Sequence, residues 1–283
     1  MASTFNSGFV WDHRYIVSEA KRLRTSSIRA VYAVLVKSNG RSHAATDLEV
    51  SSTLLTPARK PVLTMAGSRG CPYRCDYCSL IHTGGKTFRR RDPIKIADEY
   101  EYLVDRYGVK QIGFIDPIFP LVKKDLKPFC DELVKRGLDK KCVWLSETRA
   151  DRLDEETTQM MYDGGCRRVL MGIESGSDLL LGNVNKTLTT NKVREGVANA
   201  HKAGIQTVGL FMLGLPGETP EMSKQTIEFA VDLDLDFAKF AITVPFPGSI
   251  SKTQPTFTHG APAARASPSP MPPRETAAQR PPA

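Results

Sequence analysis

No run in the 283-residue sequence approaches the roughly 20 apolar residues that a membrane span requires. The opening MASTFNSGFVWDHRY lacks the charged-then-apolar order of a secretory leader, so the chain is read as cytoplasmic. Cysteine is scarce: six residues, at 71, 75, 78, 130, 142 and 166. That is too sparse for a disulfide scaffold, and half of them in one cluster favours metal over bridges. Charge of one sign is in modest excess, 39 basic residues against 31 acidic. Three of the eight net positive charges belong to residues 252–283, where Lys252, Arg265, Arg274 and Arg280 face only Glu275. The remainder is weak ground for a polyanion, and nucleic acid is not indicated.

Large apolar residues nearly vanish after about residue 249, while eight of the 19 prolines gather there. Residues 249–283 are therefore expected to be a disordered tail. Residues 1–60 are left unassigned, as the remnant or linker of an upstream domain; IRAVYAVLVKSNG within them reads as a strand or a short helix.

Residues 61–248 repeat one cycle: an apolar run, polar residues straight after it, then a helical pattern closed by glycine. The runs are PVLTMAG, KQIGFID, CVWLSET, RRVLMGIES, TVGLFMLG and AKFAITVPF. Near-continuous apolar runs of this length read as buried parallel strands. Between them, DPIKIADEYEYLVDRYG opens on an Asp-Pro cap and places Ala97, Tyr100, Val104 and Tyr107 on one face. TPEMSKQTIEFAVDLD opens on Thr219 and Pro220, with Ile227, Ala230 and Val231 facing inward. Strand then helix, six times, implies an α/β fold: an open doubly wound sheet or a partial barrel with its working face at the strands' C-terminal ends. That face collects Gly70 to Cys78, Asp116, Glu147 and Arg149, Glu174 and Ser175, Gly214 to Glu218, and PFPG.

Cys71, Cys75 and Cys78 stand at i, i+4 and i+7 in GSRGCPYRCDYCSL. Three thiolates on one tight loop suit a cubane iron–sulfur cluster and leave its fourth iron open for chemistry. Gly67 and Gly70 are expected to let the backbone approach the cluster and to offer it amide hydrogens. The rival is zinc, since His82 follows Cys78 at C-x-x-x-H and would complete three cysteines and one histidine. Cys130, Cys142 and Cys166 are expected to be buried free thiols away from the working face.

The C-x3-C-x2-C loop, with Tyr77 before its third cysteine, resembles the signature of the radical S-adenosylmethionine (radical SAM) superfamily. FRRRDP, IGFIDPIF, WLSETRAD, GCRRVLMGIESGSD, FMLGLPGET and ITVPFPG resemble, in order, segments of the branch often linked to a cobalamin-binding domain. The resemblance implies a partial (βα)6 TIM-like barrel with outer helices. Its 4Fe–4S cluster would be bound by Cys71, Cys75 and Cys78 and would chelate S-adenosylmethionine at the open iron. One-electron reduction would yield methionine and a 5′-deoxyadenosyl radical for hydrogen abstraction. An electron donor such as flavodoxin or ferredoxin, and a substrate the sequence does not identify, are implied as partners.

Carried over residue by residue, Tyr77 falls near the adenine, with loop packing as its alternative. Glu174 and Ser175 contact the cofactor's polar groups, or Ser175 caps a helix. Gly214 and Glu218 border the adenosyl moiety, or Glu218 opens the next helix. Arg149 pairs with the methionine carboxylate or with Glu147. Asp116 stands where relatives often show an acidic pair, here followed by Pro117. No D-x-H-x-x-G cobalamin motif appears in residues 1–60, so cobalamin has no motif in this chain. The change of composition after ITVPFPGS is read as a truncation or frameshift near residue 249. The reaction implied is cobalamin-linked methyl transfer or rearrangement. A methylthiotransferase-like radical enzyme and a zinc-stabilised basic binding module are the alternatives.

Overall fold

The structure is a computed structural model that describes residues 30–34, 61–80, 84–85, 87–120, 122–243 and 249. The proline-rich tail, His82 and PFPG lie outside the described residues. Each of the six apolar runs forms a strand: β2 (Val62–Met65), β5 (Gln111–Phe114), β6 (Val143–Thr148), β7 (Cys166–Glu174), β8 (Gln206–Leu213) and β9 (Phe237–Ile242). Ala30–Val34 supplies a seventh, β1, parallel to β9. The sheet is parallel throughout and ordered β1-β9-β8-β7-β6-β5-β2. Among the described residues its two ends, β1 and β2, do not pair, so the barrel is partial.

Several helices start where a side chain satisfies their first amide groups. Asp92 accepts from the Ile94 and Lys95 amides and opens α1 (Pro93–Tyr107), with proline at the first helical position. The chain leaves α1 at Gly108, whose φ of 62° is left-handed. Outer helices α2 (Lys123–Lys135), α3 (Leu138–Lys141), α4 (Glu155–Asp163), α5 (Asp178–Asn183), α6 (Thr190–Lys202) and α7 (Pro220–Asp232) follow. Thr189 and Thr219 cap α6 and α7 through the amides of Lys192 and Met222. In α1, Ile96, Ala97, Tyr100 and Val104 are buried. Tyr107 is not on that face: it is 54% exposed, in the last turn, and meets Tyr102 edge to face.

Alternate strand residues turn to the helices. Phe114, Trp144, Phe119 and Phe129 form an aromatic knot there, with ring centroids 4.0–5.9 Å apart. Two buried polar ends in this layer are paired: Trp144 Nε1 donates to the Gly164 carbonyl and Tyr100 Oη to the Cys142 carbonyl, both at 2.8 Å. Cys130, Cys142 and Cys166 are buried free thiols, as expected.

Candidate active site

The cysteine loop follows the C-terminal end of β2. A short antiparallel pair, β3 (Ser68–Arg69) with β4 (Arg89–Arg90), ties its two ends together. Cys71, Cys75 and Cys78 are free and half-buried. Burial pushes the Cys71 thiol up, and the neighbouring Cys75 and Cys78 add to it, so the three sit within electrostatic reach of one another. Burial also raises Cys75, against the pull of Lys186 and Arg149.

Four anchors hold this loop. Asp116, buried at the end of β5, accepts from the Gly67 amide (2.9 Å) and the Ser68 hydroxyl. Burial raises its carboxyl pKa while these bonds oppose the rise. Asp116 thus holds the base of the loop. Gly67 differs from expectation. The Gly67 amide is spent on Asp116, and a Cβ there would stand 2.5 Å from the Phe119 ring. Gly70, at φ +81°, passes so close to the Thr87 carbonyl that a Cβ would lie 2.4 Å from it. Packing within the protein accounts for both residues.

Arg149 is the second anchor. Its guanidinium stacks 3.8 Å over the Tyr73 ring, binds Asp151 through Nε (2.9 Å) and Nη2 (3.0 Å), and donates to the carbonyls of Lys186 (2.9 Å) and Thr187 (2.8 Å). Its carboxylate partner is Asp151, not Glu147. Asp151, two residues on, is near enough, and the planar fork needs a carboxylate in its own plane. The third anchor is backbone: the Asp76 amide donates to the Val184 carbonyl (3.0 Å), and Asn185 Nδ2 to the Arg74 carbonyl (3.1 Å).

The fourth is a buried triad. Tyr77 Oη donates to Glu174 Oε1 (2.8 Å), and Lys186 Nζ donates to Glu174 Oε1 (2.8 Å) and Tyr77 Oη (2.9 Å). Glu174 has a left-handed backbone (φ 70°) at a register shift between β7 and β8. A carboxylate therefore occupies a conformation that usually selects glycine. Burial and the Glu174 carboxylate push the Tyr77 phenol well above its ordinary range, so it stays a hydrogen-bond donor. Its ring packs on the small apolar cluster of Leu180, Val184 and Leu215. Lys186 was not singled out from sequence; a lysine twelve residues past Glu174 in a polar turn gives no sign that it is 5% exposed.

Two further residues hold backbone. Ser175 Oγ meets Thr226 Oγ1 (3.1 Å) and accepts from the Ser177 amide (3.2 Å), tying β7 to α7. Glu218 Oε2 accepts from the amides of Gly214 (2.5 Å) and Leu215 (2.7 Å), and Oε1 from Ser223 Oγ (2.5 Å). The GLPGE turn is thereby closed on its own glutamate, with Gly214 at φ 85°. Glu147 stands apart, exposed on the concave side of β6.

An unclosed parallel sheet with outer helices, carrying three free thiols on its first loop at the strands' C-terminal ends, is the architecture of a partial TIM-like barrel enzyme. The model of the radical SAM superfamily matches residues 65–230, more than half of the chain, and the protein belongs to that superfamily. An uncharacterized methyltransferase of Pyrococcus horikoshii is 36% identical over 182 residues, which is 64% of this chain and 39% of that protein. The anaerobic magnesium-protoporphyrin IX monomethyl ester cyclase of Cereibacter sphaeroides is 32% identical over 182 residues, 64% of this chain and 30% of its own length. The chain thus spans between about a third and two fifths of these relatives. Among solved structures, the radical S-adenosylmethionine methyltransferase TsrM from Kitasatospora setae, with cobalamin and a 4Fe–4S cluster bound, superposes with a TM-score of 0.63. It is 24% identical, over 67% of this chain and 38% of that one, a likeness of fold.

Proposed function

We propose that the chain is the catalytic core of a radical SAM enzyme of the methyltransferase-related kind, with Cys71, Cys75 and Cys78 as ligands of a 4Fe–4S cluster. The observation that carries this is the set of three free, half-buried thiols on a loop anchored at four points. The donor set fits: thiolates are the ligands such a cluster takes, and three of them leave one iron for the cofactor. Among the described residues, no three His, Cys, Asp or Glu side chains close on a point that one ion could fill. A bound cluster would supply one-electron chemistry on S-adenosylmethionine; the protein's part is to place and shield the reactants.

Glu174 is the cofactor contact we favour. Its Oε1 is fixed by Tyr77 and Lys186, and its Oε2 makes no hydrogen bond among the described residues, so a preorganised acceptor faces the thiol loop. Methyl transfer is preferred as the reaction because a methyltransferase stands among both the sequence relatives and the structural neighbours. Tyr77, Asp116, Arg149, Ser175, Gly214 and Glu218 serve by holding these groups in place. Anaerobic reconstitution tests the ligand assignment. Iron and sulfide should approach the content of one 4Fe–4S cluster per chain, and Cys71→Ala, Cys75→Ala and Cys78→Ala should each lose most of it. Retention in any of the three removes that residue from the ligand set.

A further inference from the structure

Among the described residues the cysteine loop is flanked by two buried cations, Arg149 and Lys186. The Arg149 guanidinium is offset by both oxygens of Asp151. Lys186 shares a single carboxylate oxygen with Tyr77: its Nζ stands 2.8 Å from Glu174 Oε1 and 2.9 Å from Tyr77 Oη, which itself donates to that oxygen. The backbone carries this group to the thiols. The Asp76 amide donates to the Val184 carbonyl and Asn185 Nδ2 to the Arg74 carbonyl, so the 184–186 turn lies along the stretch that holds Cys75. Tyr77, the bridging side chain, stands two residues after Cys75 and directly before Cys78.

Little water screens this contact. Lys186 and Glu174 are buried, and the Tyr77 ring packs with Leu180, Val184 and Leu215. The charges reach the loop: burial raises the Cys75 thiol, Lys186 opposes the rise ahead of Arg149, and Glu174 adds to it. At an effective dielectric constant of about 20, a unit charge changes a one-electron equilibrium tenfold or more out to about 12 Å. A thiolate-bound cluster takes its reduction potential from the charge, hydrogen bonding and burial around it. An ammonium one hydroxyl away from the cysteine loop is therefore placed to act on such a cluster without touching it.

We propose that Lys186 and Glu174 are an opposed pair of charges that sets the reduction potential of the cluster held by Cys71, Cys75 and Cys78, the lysine raising it and the glutamate lowering it. This rests on the reading of those cysteines as cluster ligands. One electron passes from an external reductant to the cluster, with no bond made or broken. The reduced cluster carries one more negative charge, which the ammonium favours and the carboxylate opposes. Lys186 is thus a positioning residue that acts through its field and through Tyr77.

The test is a redox titration of the reconstituted full chain, followed by electron paramagnetic resonance. It is run without S-adenosylmethionine, so that the part of Glu174 as a cofactor contact does not enter. Lys186→Met should make the cluster harder to reduce by tenfold or more in the equilibrium, which is about 59 mV for one electron. Glu174→Gln should make it easier by a similar factor, and the double variant should return most of the way to wild type. Where Lys186→Met alone does not fold, the step from Glu174→Gln to the double variant measures the same lysine charge. Arg74→Gln removes a charge of the same sign next to Cys75 in sequence, but that side chain is exposed and screened, so its shift should be the smaller. Shifts of opposite sign separate a charge effect from damage to the fold, which would move both single variants the same way. A potential unchanged in both, or moved in one direction by both, overturns the proposal and leaves the cluster reading intact. A wild-type chain that builds no cluster overturns that reading and the proposal with it.

Discussion

A Cβ on Gly172 would stand 2.6 Å from Glu174 Oε1 and 3.1 Å from Lys186 Nζ, so the missing side chain makes room for a buried ion pair. With side chains only 7% and 9% exposed, neither Lys186 nor Glu174 can fall back on water. Removing one partner of such a pair leaves an uncompensated buried charge and costs about 3–5 kcal/mol. Lys186→Met should therefore lower stability by that order in urea unfolding. The double variant with Glu174→Gln should be less destabilised than the single one, because no charge is then stranded; a double variant that loses more would contradict the ion-pair account. This scale was only partly legible in the sequence. Glu174 could be singled out because it ends an apolar run. Lys186 could not, since nothing local distinguishes a buried lysine from a solvated one. Ser175 and Glu218 bind nearby backbone amides, while the N-cap positions of the helices that follow them fall to Ser177 and Thr219.

Among the elements, the cysteine loop is held by contacts far away in sequence: Asp116, Arg149 and the turn from Val184 to Thr187. Asp116→Ala removes the acceptor of the Gly67 amide and the Ser68 hydroxyl, and a buried unpaired donor costs about 1–3 kcal/mol. The expected outcome is a loss of that order, together with faster labelling of Cys71, Cys75 and Cys78 by a thiol reagent in iron-free protein. Labelling at the wild-type rate would show that Asp116 does not anchor the loop. The strands and helices were legible because local chemistry writes them: apolar runs, Asp-Pro and Thr-Pro caps, closing glycines. The anchors were not, because no spacing rule joins residue 116 to 67 or 149 to 73. Ala30–Val34 was ambiguous for a related reason. Its apolar run suits strand or helix, and only pairing with Phe237–Ala241 decides.

For the whole molecule, parallel order from β2 to β9 places the end of every strand on one face, so residues spread over more than a hundred positions meet around one loop. That arrangement follows from the strand–helix repeat and was readable from sequence. What the site acts upon was not, since one barrel supports many reactions. The central claim is that three thiols leave one iron free for S-adenosylmethionine. Electron paramagnetic resonance of the dithionite-reduced, reconstituted full chain, with and without the cofactor, tests it most directly. A reduced 4Fe–4S signal that changes when S-adenosylmethionine is added, and is absent in Cys75→Ala, is the predicted result. A signal unaffected by the cofactor, or a chain that takes up one zinc and no iron, would contradict the account.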